Sequence, residues 1–294
     1  MSSIKHIQLE KLGDNENIAI LTINRHEVLN AINIDVVAEL SSAFDTIASD
    51  SSTKVVIITG AGERSFCAGA DLRYVVDKSP IDAEHYASTI HALLNKIENL
   101  PKPVIAAING YALGGGCEIA LACDIRIASS NAKIGQTEVK VGIPPGWGGT
   151  QRMLRVLRVS KAKELIYTGR MITADEAFKI GLVNKVVYPD EEGIQEETKL
   201  PGKRDANNKS NSRESNRGPD KSLNSKLMAE CIEFANTILK NSQFAVTVSK
   251  MLINKALDVD INTGLNLEIY GWSLCFAHED RVKMMSAFLK KKTK

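Results

Sequence analysis

With 294 residues, 44% of them hydrophobic, the chain is long enough to bury one large core with an appendage, or two cores. Its 37 Lys and Arg against 35 Asp and Glu leave a net charge of +2, too small for a global field that would select nucleic acid or a membrane surface. The five cysteines (Cys67, Cys117, Cys123, Cys231, Cys275) form no C-x-x-C pair and have no histidine at metal-ligand spacing, so reduced thiols in a cytosol-like compartment are expected, with no bound metal.

The first residues, Met1-Ser2-Ser3-Ile4-Lys5, carry no apolar signal core, and no apolar run reaches membrane-spanning length, so a cytoplasmic protein with no membrane partner is expected. Ile18–Ile23 reads as a strand. Asn30-Ala31 leads into a helix with Val37, Leu40, Phe44 and Ile47 on one face, the spacing of a core-facing stripe. Residues 54–60 are nearly all apolar, as in a strand covered on both faces. They run into Ser65-Phe66-Cys67-Ala68-Gly69-Ala70-Asp71-Leu72, a small-residue turn before a helical segment.

The centre of the chain is Ala106-Ala107-Ile108-Asn109-Gly110-Tyr111-Ala112-Leu113-Gly114-Gly115-Gly116-Cys117-Glu118. It starts as a buried strand, breaks at Asn109-Gly110, passes three glycines and becomes helical through Ala122. Such a junction presents free backbone N–H groups at a helix N-terminus, and the absence of side chains lets a ligand approach them. That end favours a bound anion or an oxyanion that forms during reaction. Glu118 lies about one turn in. Alone it could be a first-turn glutamate that satisfies the helix dipole. The turn at 65–72 is a second junction of the same kind, and two such junctions on neighbouring strands can aim two N–H groups at one carbonyl oxygen.

Residues 124–128 form a further strand, and Ala132-Lys133-Ile134-Gly135-Gln136-Thr137-Glu138 places a second carboxylate after another turn. Residues 142–150 are a loop by composition. Ser160 can cap a helix to Thr168 with Gly169 as its stop, and Thr173-Ala174-Asp175-Glu176 reads as a capping box for a helix that Gly181 ends. The alternation of strand, turn and helix indicates α/β architecture over residues 1–188. Residues 189–225 are polar and low in apolar content, so a mobile insertion is expected, and 226–294 read as helical.

Four motifs together identify a family. They are Ser65 to Leu72, Lys102-Pro103-Val104-Ile105 running on through Glu118, Gly135-Gln136-Thr137-Glu138, and Gly148-Gly149-Thr150-Gln151-Arg152. The chain resembles the enoyl-CoA hydratase/isomerase (crotonase) superfamily, most closely the short-chain enoyl-CoA hydratases. The resemblance implies a spiral of ββα repeats with a C-terminal helical trimerisation region, assembled as a trimer or a dimer of trimers. It implies that the backbone N–H groups of Ala70 and Gly115 form the oxyanion hole. It also implies that Glu118 and Glu138 hold a water, with Glu138 the acid/base at the α-carbon and Glu118 activating or orienting the water. The acyl-CoA substrate would lie along Glu27, Val28, Ala68, Ala70, Asp71, Leu72, Arg73 and Gly115, with Trp147 narrowing the acyl pocket. Phe288 and Lys291 would reach the nucleotide end from a neighbouring subunit. Asp71 reads more simply as a helix cap that fixes the oxyanion turn. Coenzyme A enters with the substrate, and no separate cofactor is implied.

The expected activity is reversible addition of water to a 2-enoyl-CoA. Variants of it are a dedicated dehydratase, for example of 3-hydroxypropionyl-CoA, and an enoyl-CoA isomerase. A reading from another class is RNA binding through Lys199, Lys203, Arg204 and Lys209, but the near-neutral charge and the glutamate pair favour the enzyme, and nucleic acid is not expected as a partner. The sequence departs from the family pattern at His26, where proline is common, and at Lys283-Met284, where Glu-Gly is usual.

Overall fold

The computed structural model describes residues 6–13, 15–189 and 221–291. In chain order the elements are β1 (Ile7–Leu12), β2 (Ile18–Ile23), α1 (Ile34–Ser49), β3 (Val55–Gly60), β4 (Ser65–Cys67), α2 (Leu72–Val75), α3 (Pro80–Glu98), β5 (Val104–Ile108), β6 (Tyr111–Leu113), α4 (Gly115–Ala122), β7 (Ile125–Ser129), β8 (Lys133–Gly135), α5 (Gly149–Val156), α6 (Val159–Thr168), β9 (Ile172–Thr173), α7 (Ala174–Lys179) and β10 (Lys185–Val187). Four helices follow: α8 (Lys221–Leu239), α9 (Gln243–Lys255), α10 (Ile261–Ala277) and α11 (Glu279–Lys291).

The strands form two sheets. A larger one runs β1-β2-β3-β5-β7-β10, parallel except for the β1–β2 pair, and a smaller one runs β4-β6-β8-β9, parallel up to β8. Each turn of the chain lays a long strand in the first sheet and the next, short strand in the second: β3 then β4, β5 then β6, β7 then β8. This is the expected spiral.

Apolar runs build the large sheet because it is covered on both faces. Val56 and Ile58 of β3 face a core shared with Val37, Leu40, Phe44 and Ile47 of α1 and with Ile90, Leu94 and Ile97 of α3. Val55 and Ile57 face the other way, onto Leu223, Leu227, Cys231 and Ala235 of α8. The stripe read from the sequence of α1 is the buried face, and Asn33 caps that helix by accepting from the Val36 N–H at 3.1 Å.

Several details differ from the sequence reading. The central stretch holds two strands, β5 and β6, because Asn109-Gly110 turns the chain from one sheet into the other. Asn109 is buried there. Its side-chain amide donates to the carbonyls of Gly60 and Gly62 at 2.8 and 2.9 Å. Helix α6 begins at Val159 after Arg158, so Ser160 lies inside it and does not cap it, while Gly169 ends it in the left-handed region as expected. Thr173 does cap α7, accepting from the Glu176 N–H at 3.1 Å. The reciprocal half of a capping box is replaced, because both Glu176 oxygens take Arg170. The helical region starts at Lys221, five residues before Lys226. Residues 190–220 of the polar stretch, and with them Lys199, Lys203, Arg204 and Lys209, lie outside the described residues.

Candidate active site

The expected site residues come from the carboxyl ends of three adjacent parallel strands, the edge where α/β sheets commonly bind ligands. Residues 68–71 follow β4, residues 114–118 follow β6, and residues 136–138 follow β8. The β4 and β6 ends touch. A Cβ added at Gly69, whose φ is +94°, would sit 2.8 Å from the Leu113 carbonyl and 3.1 Å from the Gly115 nitrogen, so only glycine lets the two turns meet. Gly69 O accepts from Ile32 N–H and Ile32 O accepts from Asp71 N–H, both at 2.8 Å, and the N–H of Ala70 between them has no acceptor among the described residues. Gly115 is the first residue of α4, and its N–H has no intrahelical partner. The two donors that the resemblance singles out are therefore side by side and, among the described residues, uncommitted.

The turn that carries Ala70 is held from outside by the 25–31 segment. Asp71 caps α2 through the Arg73 N–H (3.2 Å) and pairs with Arg25 at 3.2 Å. Ala68 N–H donates to Leu29 O at 3.0 Å, and buried Asn30 donates to the carbonyls of Ala61 and Ser65 at 3.0 and 2.8 Å. Glu27 and Val28 form a short 3-10 turn beside this junction, with Glu27 exposed, as are Leu72 and Arg73.

Glu118 is 1% exposed on the first turn of α4. Its Oε1 accepts two backbone N–H groups, from Trp147 at 2.8 Å and Gly149 at 2.6 Å, and its Oε2 takes no donor among the described residues. Burial pushes this carboxyl up to about 7, against the opposing pull of the two N–H groups and of the Arg152 charge. Glu138 opens a 3-10 turn over Glu138–Val141. Gln136 is fully buried beside it. With its amide nitrogen turned toward the carboxylate, it donates to both Glu138 oxygens at 2.7 and 3.1 Å. Glu138 is likewise raised to about 7, first by burial and also by the negative charge of Glu118. A Cβ at Gly114 would lie 3.4 Å from Glu138 Oε1, which puts this second carboxylate against the same glycine junction.

Two carboxyls that both titrate near neutral pH, one next to the other, suit a site that gives and takes one proton. The structure thus joins Ala70, Gly115, Glu118 and Glu138 in one place.

The family model for enoyl-CoA hydratase/isomerase matches residues 13–212. The chain belongs to the enoyl-CoA hydratase/isomerase family. It is 42% identical to the short-chain-enoyl-CoA hydratase of Clostridium acetobutylicum, over 98% of this chain and 96% of that protein. It is 40% identical to the crotonyl-CoA hydratase of Syntrophomonas wolfei over the same shares. Among solved structures, the enoyl-CoA hydratase from Bacillus anthracis superposes with a TM-score of 0.82 at 36% identity, covering 98% of this chain and 97% of that one.

Trp147 packs on the same glycine junction, and Phe288 and Lys291 belong to the C-terminal helices. Trp147 is buried in the core, edge-on to Tyr86 with ring centroids 5.9 Å apart, and its ring lies so close over Gly115 that a Cβ there would come within 1.9 Å of it. Its backbone N–H also donates to Glu118. Phe288 is exposed on α11, and the C-terminal helices α8–α11 form an arm in which α11 is held by packing on α10 and by the Ser242–Asp280 hydrogen bond at 2.7 Å. The side chain of Lys291, at the end of α11, lies outside the described residues. A groove of about 1050 Å³ opens between α3, α5, α8 and α9, lined by His91, Asn95, Glu98, Arg152 and Lys250. Neither Glu118 nor Glu138 lines it.

Sequence reasoning passed over the groups that hold the two glutamates: the N–H groups of Trp147 and Gly149, the amide of Gln136, and Arg152. The only signal was the place of Gln136, Gly149 and Arg152 inside the motifs and of Trp147 just before one.

Proposed function

We infer that the protein hydrates short-chain 2-enoyl-CoA thioesters to 3-hydroxyacyl-CoA, and catalyses the reverse. The observation that carries this is the pair of neutral-titrating carboxyls, buried Glu118 and half-buried Glu138, set beside two uncommitted N–H groups. In this reading the thioester carbonyl oxygen accepts from Ala70 and Gly115. That draws electron density from the β-carbon and stabilises the enolate that forms when water adds. Water sits between Glu118 and Glu138. Oε1 of Glu118 is committed to two N–H donors, so Oε2 is the atom that orients the water or takes its proton. The hydroxyl bonds to the β-carbon, the α-carbon receives a proton from Glu138, and the surplus proton stays on the pair. The proton belongs to the pair as a unit. The second carboxylate favours hydration over double-bond isomerisation.

Assembly into a trimer, or a dimer of trimers, is supported by the arm. Leu265, Ile269, Trp272 and Phe276 of α10 stand exposed at successive helical spacings, and Gly271, against Val248 and Leu252, is the one buried residue of that helix. A soluble chain rarely leaves such a stripe uncovered. No helix among the described residues is long and apolar enough to cross a membrane. The buried thiols Cys67, Cys117, Cys123 and Cys231 fit a reducing compartment such as the cytoplasm.

The test is hydration of crotonyl-CoA, followed by loss of the enoyl-thioester absorbance. Rapid, saturable loss is the expected result. A protein that binds the thioester yet leaves the absorbance unchanged for crotonyl-CoA and its short homologues would overturn the reading.

A further inference from the structure

The two N–H groups that grip Glu118 belong to a loop, and the loop is itself gripped. Arg152, 8% exposed, donates from Nη1 to the Trp147 carbonyl at 3.1 Å. Its other arm crosses to α3, with Nε and Nη2 on Glu98 Oε2 at 3.1 and 2.9 Å and Nη2 on Asn95 Oδ1 at 2.8 Å. Trp147 therefore donates to the glutamate and accepts from the arginine. The Arg152 N–H also closes the start of α5 on the Gly148 carbonyl at 2.7 Å. The guanidinium fork spans a carbonyl, a carboxylate and an amide at once, which a lysine ammonium on a flexible stem does not reproduce.

We propose that Arg152, locked against Glu98 and Asn95, is a positioning residue for the reaction: it sets the 147–149 backbone so that two N–H groups converge on one oxygen of Glu118 and leave the other for water. This rests on the hydratase reading above. A deeper anchor serves the aim because the fork is tied to α3, a 19-residue helix packed in the main core, and not to the loop alone. The titratable and charged groups around Glu118 and its clamp are Glu138 after β8, Arg152 on α5, and Glu98 and His91 on α3, His91 standing beside Gly148. Tyr86 and Cys117 are also near, and burial raises both so that they stay neutral.

The experiment compares wild type, Arg152→Lys, Arg152→Gln and Glu98→Ala as full chains, with folding checked by circular dichroism and melting. Crotonyl-CoA hydration is measured at pH values on both sides of about 7. Both arginine variants should lose about 10²-fold in kcat, the scale of an ångström misplacement of a catalytic group. KM should stay within about threefold, since no group that touches the acyl-CoA is changed. Misplaced N–H donors, and in Arg152→Gln the lost positive charge as well, disfavour the carboxylate, so the pH limb of the glutamate pair should move upward. Glu98→Ala should move both readouts the same way by less, and it carries the test if the arginine variants do not fold. A carboxyl ¹³C NMR titration of Glu-labelled protein reads the same upward shift without turnover. The inference is overturned if folded variants melt lower but keep the wild-type kcat and Glu118 titration, which is a structural role only. It is equally overturned if Arg152→Lys behaves as wild type, which would mean that charge and not geometry matters. An inert wild type with a shifted Glu118 titration in Arg152→Gln would instead sink the hydratase reading and leave the clamp standing.

Discussion

The spiral core and the C-terminal arm meet their physical demands in opposite ways. In the core, apolar strands are covered on both faces, and the buried side chains of Asn30, Asn109, Gln136, Arg126 and Arg152 find partners within the chain, while the reacting corner keeps Glu118 Oε2 and two N–H groups open among the described residues. Arg126, for example, donates to the carbonyls of Cys123 and Leu182 at 2.9 and 2.7 Å, so it closes the C-terminal end of α4, the helix that carries Glu118. In the arm, α10 presents a large apolar face to solvent in the single chain. A region whose apolar surface is covered within the chain holds reacting groups in place, whereas one that leaves an apolar face bare is built to meet another surface. The reaction should thus be sensitive to single atoms in the core and the assembly to area in the arm.

The largest effect that would test this contrast is on the reacting pair. Glu118→Gln and Glu138→Gln should each lower kcat by about 10²–10⁴-fold, the range for a lost general acid or base. The amide keeps the shape, and an oxygen to accept the N–H groups of Trp147 and Gly149. A variant that retains most of its turnover would remove that residue from the proposed mechanism.

Next comes the joint between the two regions. Lys250 of α9 is nearly buried and donates to Asp124 Oδ2 at 2.7 Å and to the Lys102 carbonyl at 3.0 Å. Lys250→Met leaves Asp124, whose pKa burial already raises, without its cation. The variant should be about 3–5 kcal/mol less stable in urea unfolding. An unchanged midpoint would show that the joint carries no strain when opened.

A smaller energetic effect, with a different readout, is expected in the arm. Replacing both Ile269 and Trp272 with serine should shift the sedimentation velocity toward a single chain while circular dichroism stays the same. If the pair of changes leaves the mass unaltered, the apolar stripe is not an assembly surface.

The smallest effect concerns the cost of the site to the fold. Glu118 titrates near 7 in the folded protein, above its usual range, so the folded state favours the protonated form. That contribution to stability is complete below the usual carboxylate range and is lost as pH rises through about 7. Glu118→Gln should therefore raise the melting temperature at pH 8 by about 4 °C or more and leave it nearly unchanged at low pH. Equal shifts at both pH values would mean that the stabilisation comes from something other than the buried charge.

The sequence by itself determined the α/β class, the apolar strands β2, β3, β5 and β7, the stripe of α1 and the two glycine junctions, because each is a local pattern of side-chain size and polarity. A strand that enters a helix through glycine exposes N–H groups whatever lies around it, so the two junctions and the carboxylates that follow them were legible, while the roles of Ala70, Gly115, Glu118 and Glu138 came from the resemblance to the family. The smaller sheet was not legible. Its strands have two or three residues, too few to show a period. Nor were the partners of the glutamates: Trp147 and Gly149 lie about thirty residues beyond Glu118, and Arg152 meets Glu98 across 54 residues. Such pairings follow from how the spiral stacks one strand end on the next. Only the tertiary structure decides which backbone N–H meets which oxygen, because a hydrogen bond depends on direction and on tenths of an ångström that no residue type records.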